Sequence, residues 1–211
     1  MNLFKYDSAL SNGLARVIDL LILNILWIIC SLPVITLGAA TTALYYSMLK
    51  IAREKDCGIT KMFFHSFFQN LKQGCGLAIL FLVSGIILCS GIQTYNIIGG
   101  LFGRIAIVVL FVLLFMWGVL FSYVFPLLAQ FDNTIKNTIK NAFIISISNF
   151  GKTMIIVILN SVPIVLFLGL PHIFVVSLPI WMLWGFALIA FINVKMFVKI
   201  FDRYITNGES T

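Results

Sequence analysis

An all-α polytopic membrane bundle is predicted by three observations: too few charges for a water-facing surface, several apolar runs of bilayer length, and basic residues gathered into alternate loops. Hydrophobic residues make up 61% of the 211 and charged residues only 10%. A soluble domain needs roughly a quarter of its residues charged to cover its surface, so most of this surface has to face lipid. The length suits a single transmembrane domain, 1–211. The formal net charge is +7. It is read as loop lysines and arginines that set topology and meet anionic headgroups. No nucleic acid is expected as a partner, because no basic run or basic–aromatic stripe stands outside the spans.

Residues 1–13 read as a polar to amphipathic N-terminal cytoplasmic segment. Span 1 runs from about Leu14 to Leu32, where Pro33 ends or turns it. The small residues Gly38, Ala39 and Ala40 resemble a signal-cleavage site, but the following segment stays apolar, so span 1 is taken as retained. Span 2, Pro33 to Ile51, has no charge before Lys50 yet carries Thr36, Thr41, Thr42, Tyr45, Tyr46 and Ser47. It reads either as a full span or as a cytoplasmic amphipathic helix, which makes five spans the alternative to six. With six, only Arg104 falls outside; with five, Lys5 and Arg16 join it. The positive-inside rule therefore favours six spans with both termini in the cytoplasm.

Residues 58–73 place Met62, Phe63, Phe64, Phe67, Phe68 and Leu71 near helical period, with Lys61, Gln69 and Lys72 on the other side. That pattern predicts a cytoplasmic interfacial helix whose rings dip into the headgroup boundary. Span 3 runs from about Gly76 to Ile98, with Gly99, Gly100 and Gly103 making the outer turn. Span 4 runs from about Ile105 to Gln130, and a second amphipathic stretch covers 132–150. Spans 5 and 6 run from about Thr153 to Leu170 and Phe174 to Lys195, and residues 203–211 read as a flexible C-terminal tail. At an offset of 80, Phe63 aligns with Phe143, Ser66 with Ser146 and Lys72 with Lys152, so spans 2–3 and 4–5 read as a duplicated hairpin or as two similar interfacial helices. Ser-apolar-Pro recurs at Ser31, Ser161 and Ser177. The proline frees a carbonyl that a nearby hydroxyl or neighbouring helix can satisfy, which suits a kink or a broken-helix binding site.

Catalytic chemistry is not written here. No GxxxxGK[ST], HExxH, GxSxG or paired-carboxylate cluster occurs, and the chain is not expected to be an enzyme. Cys30, Cys57, Cys75 and Cys89 form no CxxC pair, and His65 and His172 have no second ligand nearby in sequence, so no metal, cofactor or disulfide is expected. Asp19 lies early in span 1, three residues after Arg16, and reads as an interfacial ion pair rather than a proton or ion site. Buried polar groups are expected at Asn24, Thr41, Thr42, Tyr45, Tyr46, Gln93, Asn160 and Asn193. Such groups hydrogen-bond across helices, each contributing about 0.6 kcal/mol on average, or line a path. Pro33, Thr36 and Gly38 complete the candidate packing or path-lining set.

The run from Leu26 to Tyr46, with Leu32-Pro33-x-x-Thr36-x-Gly38-Ala39-Ala40-Thr41-Thr42-Ala43-x-Tyr45-Tyr46 at its heart, resembles the signature of the YesL family. Phe67-Phe68-Gln69-Asn70-Leu71-Lys72-Gln73 resembles that family's next block, and the resemblance extends from about residue 3 to 205. The family comprises integral membrane proteins of Gram-positive bacteria with no known function. Its genes often sit beside those of ATP-binding-cassette carbohydrate importers, glycan-degrading enzymes and two-component sensors. The resemblance implies a multi-pass protein of the bacterial cell membrane, accessory to carbohydrate uptake, with the bilayer, importer permeases or further copies of itself as partners. A small autonomous transporter or channel, or a membrane scaffold for carbohydrate sensing, is the alternative. No EAA-type coupling loop is present, so the chain is not read as the importer's own permease.

Overall fold

The computed structural model describes residues 3–53 and 58–208. Helices α1 (Leu3–Ser31), α2 (Leu37–Ala52), α3 (Ile59–Gln69), α4 (Leu71–Ile98), α5 (Gly100–Gln130), α6 (Ile135–Ser148), α7 (Phe150–Gly169), α8 (Pro171–Ile180) and α9 (Phe186–Gly208) follow one another. A 3-10 turn, Val34–Thr36, leads into α2, and a π-helical segment, Trp181–Gly185, joins α8 to α9. Six segments are long and apolar enough to cross a bilayer: Gly13–Ser31, Val34–Ala52, Leu71–Ile98, Gly100–Gln130, Phe150–Gly169 and Pro171–Ile205. This is the all-α bundle the composition predicts, and α2 qualifies with the rest.

Helix α1 runs unbroken from Leu3, with its apolar stretch beginning at Gly13. Helix α9 continues to Gly208, beyond the expected start of the tail. The apolar period explains the extension: Phe197, Ile200 and Phe201 are buried and Tyr204 is half-buried, three or four residues apart on one face. Residues 1–2, Cys57 and residues 209–211 lie outside the described residues.

The centre of the fold is α2. It packs against α1, α3, α4, α5 and α9, and 61% of its span is buried against 11–17% in the other five. Small side chains make this possible, as in membrane bundles generally. Ala39, Ala40, Thr42, Ala43, Ser47 and Met48 have no exposed surface. At Gly38 and Gly74, α2 and α4 meet backbone to backbone, and a Cβ on Gly74 would sit 2.7 Å from the Ala39 backbone.

Helix α3 lies against α2 and α1. Phe63 and Phe67 are buried, stacked with ring centroids 6.3 Å apart, while Phe64 is half-buried. The expected dip into the headgroup boundary is thus corrected for these rings: α2's small residues leave a groove that Met62, Phe63, Ser66 and Phe67 fill. Only Phe68 is exposed among the four phenylalanines, and Lys72 is exposed beyond it.

Asn70 breaks the chain between α3 and α4. It leaves helical geometry (φ −98°, ψ 7°), its Nδ2 donates to the Ser66 carbonyl at 3.1 Å, and its own carbonyl accepts from Gly74 N at 2.7 Å. Asn149 does the same between α6 and α7: Nδ2 donates to the Ile145 carbonyl at 3.1 Å and its carbonyl accepts from Thr153 N at 3.0 Å. The two breaks are 79 residues apart, not 80. In this register buried Phe63 matches buried Ala142, Ser66 matches Ile145, Phe67 matches Ser146 and Leu77 matches Ile156. The offset of 80 pairs buried Phe63 with exposed Phe143 and is corrected.

Candidate functional site

Three polar knots hold the apolar helices in register. The first belongs to Asn24, fully buried on α1. Its Nδ2 donates to the carbonyls of Trp181 (3.1 Å) and Met182 (2.8 Å), and its Oδ1 accepts from Ala187 N at 2.9 Å. These backbone groups belong to the π segment and the start of α9, where the ordinary ladder is interrupted. One amide side chain supplies what the ladder lacks. Pro179 stands just before the segment, inside α8. The serines before the prolines do less than expected. Ser161 and Ser177 donate to Ile158 and Phe174, three residues back, rather than to the carbonyls freed by Pro163 and Pro179 four residues before each ring.

The second knot joins α1 to α2. Trp27 Nε1 donates to Thr41 Oγ1 at 3.1 Å, and Thr41 donates onward to the Leu37 carbonyl at 2.7 Å. Thr36 Oγ1 reaches the Cys30 carbonyl (2.6 Å) and the Pro33 carbonyl (2.7 Å), closing the turn between the helices. Thr42, fully buried, donates to the Gly38 carbonyl at 2.8 Å.

The third knot ties α2, α7 and α9. Asn193, fully buried, donates through Nδ2 to Asn160 Oδ1 at 2.8 Å and to Tyr45 Oη at 3.3 Å. Its own Oδ1 is buried with no partner. Phe197, one turn further along α9, takes the edge-on contacts of both Tyr45 (5.9 Å) and Tyr123 (5.1 Å). Tyr123 in turn meets Thr153 Oγ1 at 2.7 Å.

A cavity of about 490 Å³ opens beside this knot. Its wall is mostly carbon, from Trp27, Leu37, Leu44, Phe121, Phe125, Pro163, Ile164, Phe167 and Phe186 among others, and its polar residues are Thr41, Tyr45, Ser122 and Asn160. The size lies within the roughly 300–1,000 Å³ range of small-molecule sites.

Of the residues marked by the sequence, Thr41, Tyr45 and Asn160 line the cavity and Asn193 braces it from behind. Asn24, Thr36, Gly38 and Thr42 serve packing. Pro33 is exposed in the turn, and Tyr46 is half-buried with Lys50 Nζ 5.3 Å above its ring. Asp19 is 3.9 Å from Arg16. Gln93 is exposed on α4, contrary to expectation, because α4 faces outward along that stretch. Trp27, Ser122, Tyr123 and Thr153 also hydrogen-bond here, unmarked in the sequence. For Trp27 and Tyr123 a signal was present: an indole or phenol inside a bundle usually takes a hydrogen-bond partner. Also unforeseen is Arg53, which holds Gln130 Oε1 (3.0 Å) and Asp202 Oδ1 (2.9 Å) and so joins the ends of α2, α5 and α9. Among the described residues, no group of three or more His, Cys, Asp or Glu stands together as a metal site.

Six apolar helices tied by buried amides and hydroxyls define a multi-pass helical membrane protein. Residues 20–92 match the model of a family described as a protein of unknown function, DUF624. No curated protein matches the chain, and no solved structure does.

Proposed function

We propose that the protein is an accessory integral membrane component of carbohydrate uptake, working beside an ATP-binding-cassette importer. The observation that carries this reading is the Leu26–Tyr46 run. It resembles the YesL signature, it lies inside the matched stretch 20–92, and it builds the buried helix at the centre of the fold. The family's gene neighbourhood supplies the link to carbohydrate import. Geometry bears on the choice between helper and conduit. A sugar path needs hydroxyl partners along its length, whereas the cavity wall is mostly carbon with four polar residues. The broad apolar faces of α4, α5 and α7 suit contact with lipid or with a permease's helices. With six alternating spans, the positive-inside rule puts Arg16, Arg53, Lys72, Lys136, Lys152 and Arg203 in the cytoplasm together with both termini.

The test is recovery of the tagged protein from its native membrane in gentle detergent, read by mass spectrometry. Stoichiometric permease subunits or a solute-binding lipoprotein are expected. Saturable sugar flux through the purified protein alone in liposomes would sink the accessory reading. A second reading, an autonomous transporter, draws on the repeated helix–Asn–helix unit at Asn70 and Asn149.

A further inference from the structure

We infer that the cavity beside Tyr45 and Asn160 binds an uncharged, lipid-soluble ring carbonyl compound of the quinone type. The wall leaves some of its donors unspent. Thr41 and Ser122 line the cavity, but their hydroxyls donate to carbonyls one turn back on their own helices, Leu37 (2.7 Å) and Gly118 (2.9 Å). Tyr45 and Asn160 differ. Asn193, fully buried behind them, gives its two amide protons to Tyr45 Oη (3.3 Å) and Asn160 Oδ1 (2.8 Å). With the Asn193 amide oriented this way, the Tyr45 O–H and the Asn160 Nδ2 protons have no acceptor among the described residues, and Asn193 Oδ1, turned away from both, has no donor. An amide N–H left unpaired in hydrocarbon costs several kcal/mol. Two such donors on an otherwise carbon wall select a ligand that brings an acceptor oxygen and no charge.

Depth and shape narrow the class. Asn160 lies in the middle of α7, nine or ten residues from either end, about 15 Å at 1.5 Å per residue. That is deep in the hydrocarbon, below the ester carbonyls of bilayer lipids, so the acceptor belongs to a molecule that enters the apolar interior. Aromatic rings form part of the wall, with Trp27 against Phe186 (centroids 4.5 Å apart) and Phe121 against Phe125 (5.3 Å), while the exposed Ile164, Phe167 and Leu168 leave its outer side open. A flat ring packs against such a wall, and a carbonyl on its edge can reach the paired donors. This inference does not depend on the importer reading.

The test uses the full chain in detergent, titrated with 2-methyl-1,4-naphthoquinone and, separately, with monoolein as an acyl ester. Retained ligand is measured after gel filtration against empty micelles. One equivalent of naphthoquinone is expected. Tyr45→Phe and Asn160→Leu should each weaken its binding about 2- to 10-fold, the worth of one hydrogen bond. Ile164→Trp, at an exposed lining position, should abolish it, and Leu168→Trp serves if that variant aggregates. Retention no greater than in empty micelles, retention of monoolein alone, or equal binding by the blocked variant would overturn the assignment.

Discussion

Asn24 shows how much one side chain can hold in a hydrocarbon setting. Its three hydrogen bonds all go to backbone atoms of the interrupted helix between Trp181 and Ala187. Asn24→Leu keeps the volume and strands those groups, so a loss of about 1–3 kcal/mol is expected, read as a lowered midpoint of unfolding in detergent. A midpoint equal to that of the native chain would refute the role. Gly38 makes a steric prediction of the same kind. A Cβ there runs into the Gly74 backbone and the Phe125 ring, so Gly38→Ala should cost about 1–3 kcal/mol through overpacking. Gly118→Ala, with nothing within 4 Å of the added carbon, is the neutral control. The sequence showed these residues as isolated polar or small positions in apolar runs. It could not show their partners, because Asn24 and Trp181 are 157 residues apart and Tyr45 and Asn193 are 148 apart.

Among elements, the two asparagine breaks are the informative pair. Each ends a short helix, returns its side chain to the carbonyl four residues back, and lets a longer helix begin at once. The shared bond to the carbonyl four residues back predicts similar energetics: Asn70→Ala and Asn149→Ala should each lower stability by about 0.5–1.5 kcal/mol, measured by the same detergent unfolding. A large effect at one and none at the other would mean that the resemblance is local. Five of the six spans were legible because long apolar runs need no context. Helix α3 was legible as a helix, but not that protein covers Phe63 and Phe67, since an amphipathic pattern tells which face is apolar and not whether lipid or protein covers it. The π segment left no trace in the apolar pattern, because Trp181 to Gly185 reads as part of one continuous span.

At the scale of the whole molecule, the arrangement of spans makes a prediction about sidedness. In a chain cleared of its native cysteines, single cysteines at Asn96 and Gly169 should react with an impermeant maleimide from outside intact cells, and one at Gly208 only after permeabilisation. Asn96 is preferred to Gly100, whose φ of +69° strains any side chain placed there. Outside labelling at Gly208 would reverse the orientation assigned by the basic loops.

The burial of α2 has a bearing on how the protein is made. Its mean hydropathy is 1.2, the lowest of the six, against 2.0–2.8 elsewhere. A segment so weakly apolar has little reason to remain in a bilayer alone. Yet it leaves the ribosome well before α9, the helix that supplies Asn193 to its Tyr45. Until then α2 has α1, α3, α4 and α5 to pack against, and only the face that meets α9 stays uncovered. The arrival of the C-terminal helix turns a tolerated intermediate into a sealed core. A chain cut short before Phe186 keeps most of its apolar spans but lacks the contacts of α9 with α2 and the Asn193 bonds to Tyr45 and Asn160.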